Sequence, residues 1–133
     1  MTPITERPIL ALLRLEGAAA FAAGLAGYFS LTDSWMTIAL FALAPDLALI
    51  GYAFGPKVGA RLYNLAHTYV APALLAAIGL WALPALLLIA CVWLAHIGID
   101  RALGFGLKSE TAFGLTHLGR IGRTDWANRL PDA

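Results

Sequence analysis

Charge is what this chain has least of. Nine Lys and Arg and eight Asp and Glu make up 13% of 133 residues, while 60% are hydrophobic. A soluble domain carries about a quarter charged residues, so the deficit argues against a water-facing globule and for lipid as the solvent. The net charge of +1 gives no basis for a nucleic-acid partner. Cys91 is the only cysteine, which excludes an intrachain disulfide and leaves the redox compartment unread. The chain also lacks His-Glu-x-x-His, Gly-x-Ser-x-Gly and a phosphate-binding loop, so it carries no hydrolase or nucleotide signature.

What it does have is long apolar stretches. A helical crossing needs about 20 mostly apolar residues. Four stretches meet that length, over about 8–30, 35–54, 58–80 and 84–104. Pro8 and Pro84 suit first helical turns, and Gly55-Pro56 closes the second stretch. The segments are rich in Ala and Leu and show no period-two alternation, so they read as helices. The first stretch carries charges and is long enough to span, so it reads as a crossing and not as a cleaved leader. The expectation is an all-α integral membrane four-helix bundle over residues 1–104, with a short polar tail over 105–133. Four glycines between Gly106 and Gly122 argue against a helix in that tail. It could fold back under the bundle mouth and bring His117 with it.

Orientation follows from the loops. Arg7, Arg14, Lys57, Arg61, Arg101, Lys108, Arg120, Arg123 and Arg129 all fall on one side. The opposite turns, around Asp33 and Ala82, contain no Lys or Arg, and Trp35 and Trp81 mark that interface. The positive-inside rule makes the basic side cytoplasmic, with both termini inside.

One ionisable residue in each apolar stretch falls at a matching depth: Glu16, Asp46, His67 and His96. All lie roughly eight to ten residues from the basic side, a common depth of about 12–14 Å at helical rise. Ionisable groups are costly in hydrocarbon and usually face one another inside a bundle. Two carboxylates and two imidazoles in one layer suit a divalent transition metal, with iron, zinc or manganese favoured by an N/O donor set. Asp100, one turn from His96, is placed to orient it from outside the ligand set, and Tyr63, Asn64 and Arg61 are further candidates for that supporting role. The bland alternatives are a histidine hydrogen-bonded between helices, a Glu16–Arg61 salt bridge and a solvated Asp100 at a helix end. Pro45, just before Asp46, removes a backbone donor and frees a carbonyl one turn earlier.

The motifs LRLEG, APDLALIGYAFGPKVGARLYNLAHTYVAP, WLAHIGIDRALGFGLK and THLGRIG together resemble the bacterial domain-of-unknown-function family 4260, over about residues 10–122. The resemblance implies a small multi-pass protein of the bacterial cytoplasmic membrane without an assigned activity, so no catalytic role is carried over.

Three functions compete. One is a membrane-embedded metal-binding protein or metalloenzyme acting on a lipid or other apolar substrate. Another is a small proton-coupled transporter, which at this size requires a homodimer. The third is a structural or accessory protein whose polar layer fixes helix register.

Overall fold

A computed structural model describes residues 6–121. Among the described residues the chain is helical apart from its loops and a minute hairpin in the tail. Helix α1 spans Arg7–Leu31 and α2 spans Met36–Phe41. A 3₁₀ helix follows over Ala44–Phe54, then α3 over Pro56–Ala66, α4 over Val70–Trp81 and α5 over Ala85–Leu103. Strands β1 (Leu115–Thr116) and β2 (Gly119–Arg120) pair antiparallel. Of the residues used above to orient the chain, Arg123 and Arg129 lie outside the described residues.

Among the described residues, three helical stretches are long and apolar enough to cross a membrane: Arg7–Leu31, Met36–Phe54 and Ala85–Leu103. The stretch expected to cross over 58–80 is not one helix. It breaks after Ala66 and resumes at Val70. The Met36–Phe54 stretch also changes character midway, from α to 3₁₀.

The outer surface is apolar. Leu15, Leu40, Leu47, Leu65 and Leu80 are each about two-thirds exposed or more, and Trp81 at the far turn is 91% exposed. Side chains of this kind facing outward on every side suit lipid, since a soluble monomer rarely shows large contiguous apolar patches. The buried core is narrow, with Tyr28 and Ile97 its largest fully enclosed side chains.

Antiparallel α1 and α5 form the spine. A Cβ on Gly98 would stand 2.3 Å from Phe21 N and 2.7 Å from Gly17 O, and one on Gly24 would stand 2.7 Å from Cys91 O. The two backbones are therefore in direct contact, the packing that small residues permit between membrane helices. Gly51 and Gly59 let the 3₁₀ helix lie against α3 in the same way, with the Tyr52 ring over Gly59.

Helix α5 ends at Gly104, whose φ of 96° is left-handed. Its N–H bonds Arg101 O at 3.1 Å, and Phe105 N–H reaches back to Asp100 O at 2.8 Å. This glycine-terminated cap turns the chain sharply and sends the tail back beneath the helices. There Asn64 Nδ2 donates to Lys108 O (2.8 Å), and Lys108 N–H donates to Asn64 Oδ1 (2.7 Å). Leu118, Thr116 and Lys108 are buried as a result.

Candidate metal centre

The site is built where two helices break. Pro72 has no N–H to offer Thr68 O, and its ring crowds that carbonyl. Helix α3 stops short of this point, and α4 restarts with Pro72 in its first turn. A break at membrane depth is tolerated only where other groups take up the freed carbonyls, and those around His67 have partners. Tyr63 O accepts from His67 N–H at 2.9 Å and lies 2.9 Å from His67 Nδ1. Ala66 O accepts from Trp93 Nε1 at 2.7 Å, and His67 O accepts from Arg101 Nη2 at 3.2 Å.

The second break is at Pro45. Asp46 N–H bonds Leu43 O at 3.1 Å, the tighter 3₁₀ spacing. That leaves Ala42 O for His96 Nδ1, 2.7 Å away. The carbonyl freed near the proline thus has a defined use.

Four side chains meet between these breaks: Asp46, His67, His96 and Asp100. His67 Nε2 lies 3.3 Å from Asp46 Oδ1 and 3.5 Å from Asp100 Oδ2. His96 Nε2 lies 3.3 Å and 3.5 Å from the same two oxygens. The two Nε2 atoms are 3.2 Å apart. All four donor atoms lie within 4.8 Å of one another. A tetrahedral ion with ligands at about 2.0–2.1 Å has ligand–ligand edges of about 3.3–3.4 Å. The five edges at 3.2–3.5 Å match that spacing.

Hydrogen bonding fixes what each ring presents. A carbonyl can only accept, so Nδ1 carries the proton in both histidines. Each neutral ring then turns a bare Nε2 lone pair toward the other lone pair and toward two carboxylates. Four acceptors facing one another repel unless a proton or a cation sits among them. A metal-ligating histidine commonly donates its other N–H to a backbone carbonyl in this manner. The His67 and His96 side chains are 3% and 8% exposed, while Asp100 is 20% and Asp46 38% exposed. Two carboxylates against one divalent cation leave the group neutral, which limits its cost in a low-dielectric setting.

Of the expected ligands, Asp46, His67 and His96 converge and Glu16 does not. Glu16 lies on α1 at the side of an apolar cavity with Tyr69. Asp100, expected to act from outside the ligand set, presents Oδ2 at the same distance from both imidazoles and stands as the fourth donor. Tyr63 supports His67 by stacking, with ring centroids 3.7 Å apart and planes 12° apart. Asn64 holds the tail, and Arg61 bonds Glu110 Oε1 at 2.7 Å and not Glu16. The supporting roles of Trp93, Arg101 and the Ala42 carbonyl carry no signal in the sequence.

The DUF4260 family model matches residues 10–121. The chain belongs to that family of unknown function. No curated protein and no solved structure matches the chain. For this DUF4260 member the site therefore stands on its own geometry.

The tail closes the site from the basic side. Lys108 Nζ lies 4.9 Å from the Tyr63 ring centroid and 3.7 Å from that of Phe113. Burial pushes its ammonium below the ordinary lysine range, while the charges of Asp100 and Asp46 act in the other direction. His117 accepts Leu107 N–H at Nδ1 (2.9 Å) and sits with Nε2 3.0 Å from Arg101 Nη1. Burial and the Arg101 charge both lower its pKa. His117 belongs to the tail's anchoring and not to the four-donor group.

Proposed function

We propose that this protein crosses the bacterial cytoplasmic membrane four times, with both termini inside, and binds one divalent transition metal through Asp46, His67, His96 and Asp100. The third crossing is discontinuous, formed by α3 and α4 around His67. The observation that carries the reading is the near-tetrahedral donor set with both imidazole N–H groups tied to backbone carbonyls, so that both lone pairs face inward. The absence of sulfur among the four donors suits zinc, iron or manganese.

A metal held this way serves chemistry on an apolar substrate. Asp46 is the most exposed ligand and sits at the start of the 3₁₀ helix, so it is the ligand most easily displaced. Catalytic metal sites keep one exchangeable position. A cavity of about 240 Å³, lined by Phe21, Leu25, Ile38, Val92 and Ile99, reaches His96 and Ala42. Its apolar walls favour a substrate drawn from the bilayer.

X-ray absorption at the metal edge tests this reading. Four nitrogen and oxygen neighbours at about 2.0–2.1 Å are expected. A shell of water-like oxygens alone would contradict it.

A second reading treats the cation as cargo. Two discontinuous helices meeting at an ion site are a recurring arrangement in membrane transporters. Metal-dependent flux in reconstituted vesicles, lost in His67→Ala, would favour it, and a tightly retained stoichiometric metal without flux would favour the resident site. The transporter reading also requires a homodimer.

A further inference from the structure

A different part of the molecule carries its own ligand site. Glu16 lies nine residues beyond the start of α1, about 14 Å along the helix axis. It has no hydrogen-bond or ion-pair partner among the described residues. The cations around it are engaged elsewhere: Arg14 Nε donates to Ala102 O at 2.7 Å, Arg61 is paired with Glu110, and Arg101, whose guanidinium lies 5.3 Å from the Tyr69 ring centroid, is directed to His67 O and His117. An unpaired carboxylate at that depth of a membrane helix is costly and marks a functional position by default.

Glu16 is exposed on the flank of α1 and borders an open cavity of about 410 Å³ between α1, α4 and α5. That volume is in the range of small-molecule sites, which combine apolar walls with a few polar groups that set orientation. The walls here are Ala20, Pro72, Ala76, Leu87 and Leu94, and the polar groups are the Glu16 carboxylate and Tyr69. The small wall residues leave room for a hydrocarbon chain, and the carboxylate selects the sign of the head group. A fatty acid or a phosphate would meet a like charge there. An ammonium would gain a charge-assisted hydrogen bond.

We propose that the Glu16 cavity binds a hydrophobic amine, with its ammonium on Glu16 and its hydrocarbon chain among the alanines of α1, α4 and α5. This site is separate from the four-donor group and does not depend on the metal reading. Tyr69 follows the break that begins at His67 by two residues, so an occupant would also brace the start of α4.

The probe is isotope-labelled dodecylamine, measured on full-length protein in phosphatidylcholine nanodiscs against protein-free nanodiscs. Wild type should retain close to one amine per chain above background. Glu16→Gln, which keeps size and hydrogen bonding, should weaken binding at least tenfold, and Ala76→Phe should abolish it by filling the cavity. Cys91 lines the same cavity, so its alkylation by N-ethylmaleimide gives an internal readout. Dodecylamine should protect it at lower concentration than dodecanol in wild type, with the preference gone in Glu16→Gln. Retention equal to that of empty nanodiscs would overturn the proposal. Binding unchanged in Glu16→Gln would overturn it too. Neither result bears on metal content, so failure here is distinguishable from failure of the metal site.

Discussion

The imidazole of His96 is held by the carbonyl of Ala42, with Nδ1 2.7 Å from the oxygen. The two residues lie on different helices, and the contact exists because the chain leaves α geometry at Pro45. A proline in one helical stretch therefore sets the orientation of an imidazole in another. Pro45→Ala should let residues 41–46 continue as α-helix and return Ala42 O to an intrahelical bond. Loss of an orienting partner typically costs about 10–100-fold in metal affinity. Competition with a metal-indicator dye should show that drop, with helix content kept or slightly raised.

The α1–α5 spine should be intolerant of added volume. A methyl carbon on Gly98 would stand 2.3 and 2.7 Å from backbone atoms of Phe21 and Gly17, and backbone cannot rotate away. Gly98→Ala should destabilise the fold by about 1–3 kcal/mol, the usual cost of overpacking. A denaturation midpoint in mixed detergent measures it, and Ala19→Leu, which adds volume at an exposed position of α1, serves as a control.

Asn64 fastens the tail by bonding both the N–H and the C=O of Lys108. Asn64→Ala removes two hydrogen bonds and leaves part-buried backbone groups unpaired, a cost of about 1–3 kcal/mol. Amide exchange over residues 105–121 should quicken by about tenfold or more, because local opening then requires less free energy. Exchange within α1 and α5 should be unchanged.

The Arg61–Glu110 pair gives the tail a pH limit. The hydrogen bond from Arg61 holds the Glu110 carboxyl below its ordinary value of 4.5. A depressed carboxyl pKa contributes stability that is complete above the unfolded value and is lost as pH falls through the folded one. Protection around Ser109–Thr111 should therefore be flat from neutral pH down to about 4.5 and fall below it. The pair is exposed and the effect should be small, and Glu110→Gln should remove the acid dependence.

The helical, apolar character of the chain was legible because hydropathy and length are properties of contiguous residues. Asp46, His67 and His96 stand out in the sequence as polar residues in apolar stretches, and the fold brings them together. That Asp100 and not Glu16 meets the other three side chains has a physical cause. Matching depths by counting residues treats every apolar stretch as one straight rod, whereas the second stretch changes rise at Pro45 and the third breaks near His67. Helical spacing was the better guide, since His96 and Asp100 share a face one turn apart. Pro72 was visible in the sequence, and the expectation of one continuous span over 58–80 overlooked it. The parts that were not legible depend on backbone acceptors: Ala42 O, Tyr63 O and Lys108 O carry no residue-type signature, so the groups that seek them cannot be paired in advance. The tail's return under the bundle was open in the sequence, and its anchoring by Asn64 was found only in the fold.

Metal content per chain tests the four-donor centre most directly. Protein purified in detergent without chelator, and measured by elemental analysis, should carry close to one zinc, iron or manganese ion. That content should fall at least tenfold in His67→Ala and in Asp100→Ala, and it should be unchanged in Glu16→Gln. Asp100→Ala and Glu16→Gln form the decisive pair, since depth counting favours Glu16 and the folded geometry favours Asp100. Wild-type protein that stays folded yet takes up no stoichiometric metal, even when supplied with each ion, would contradict the account. The acceptors would then be satisfied by shared protons and by the nearby charges of Lys108 and Arg101.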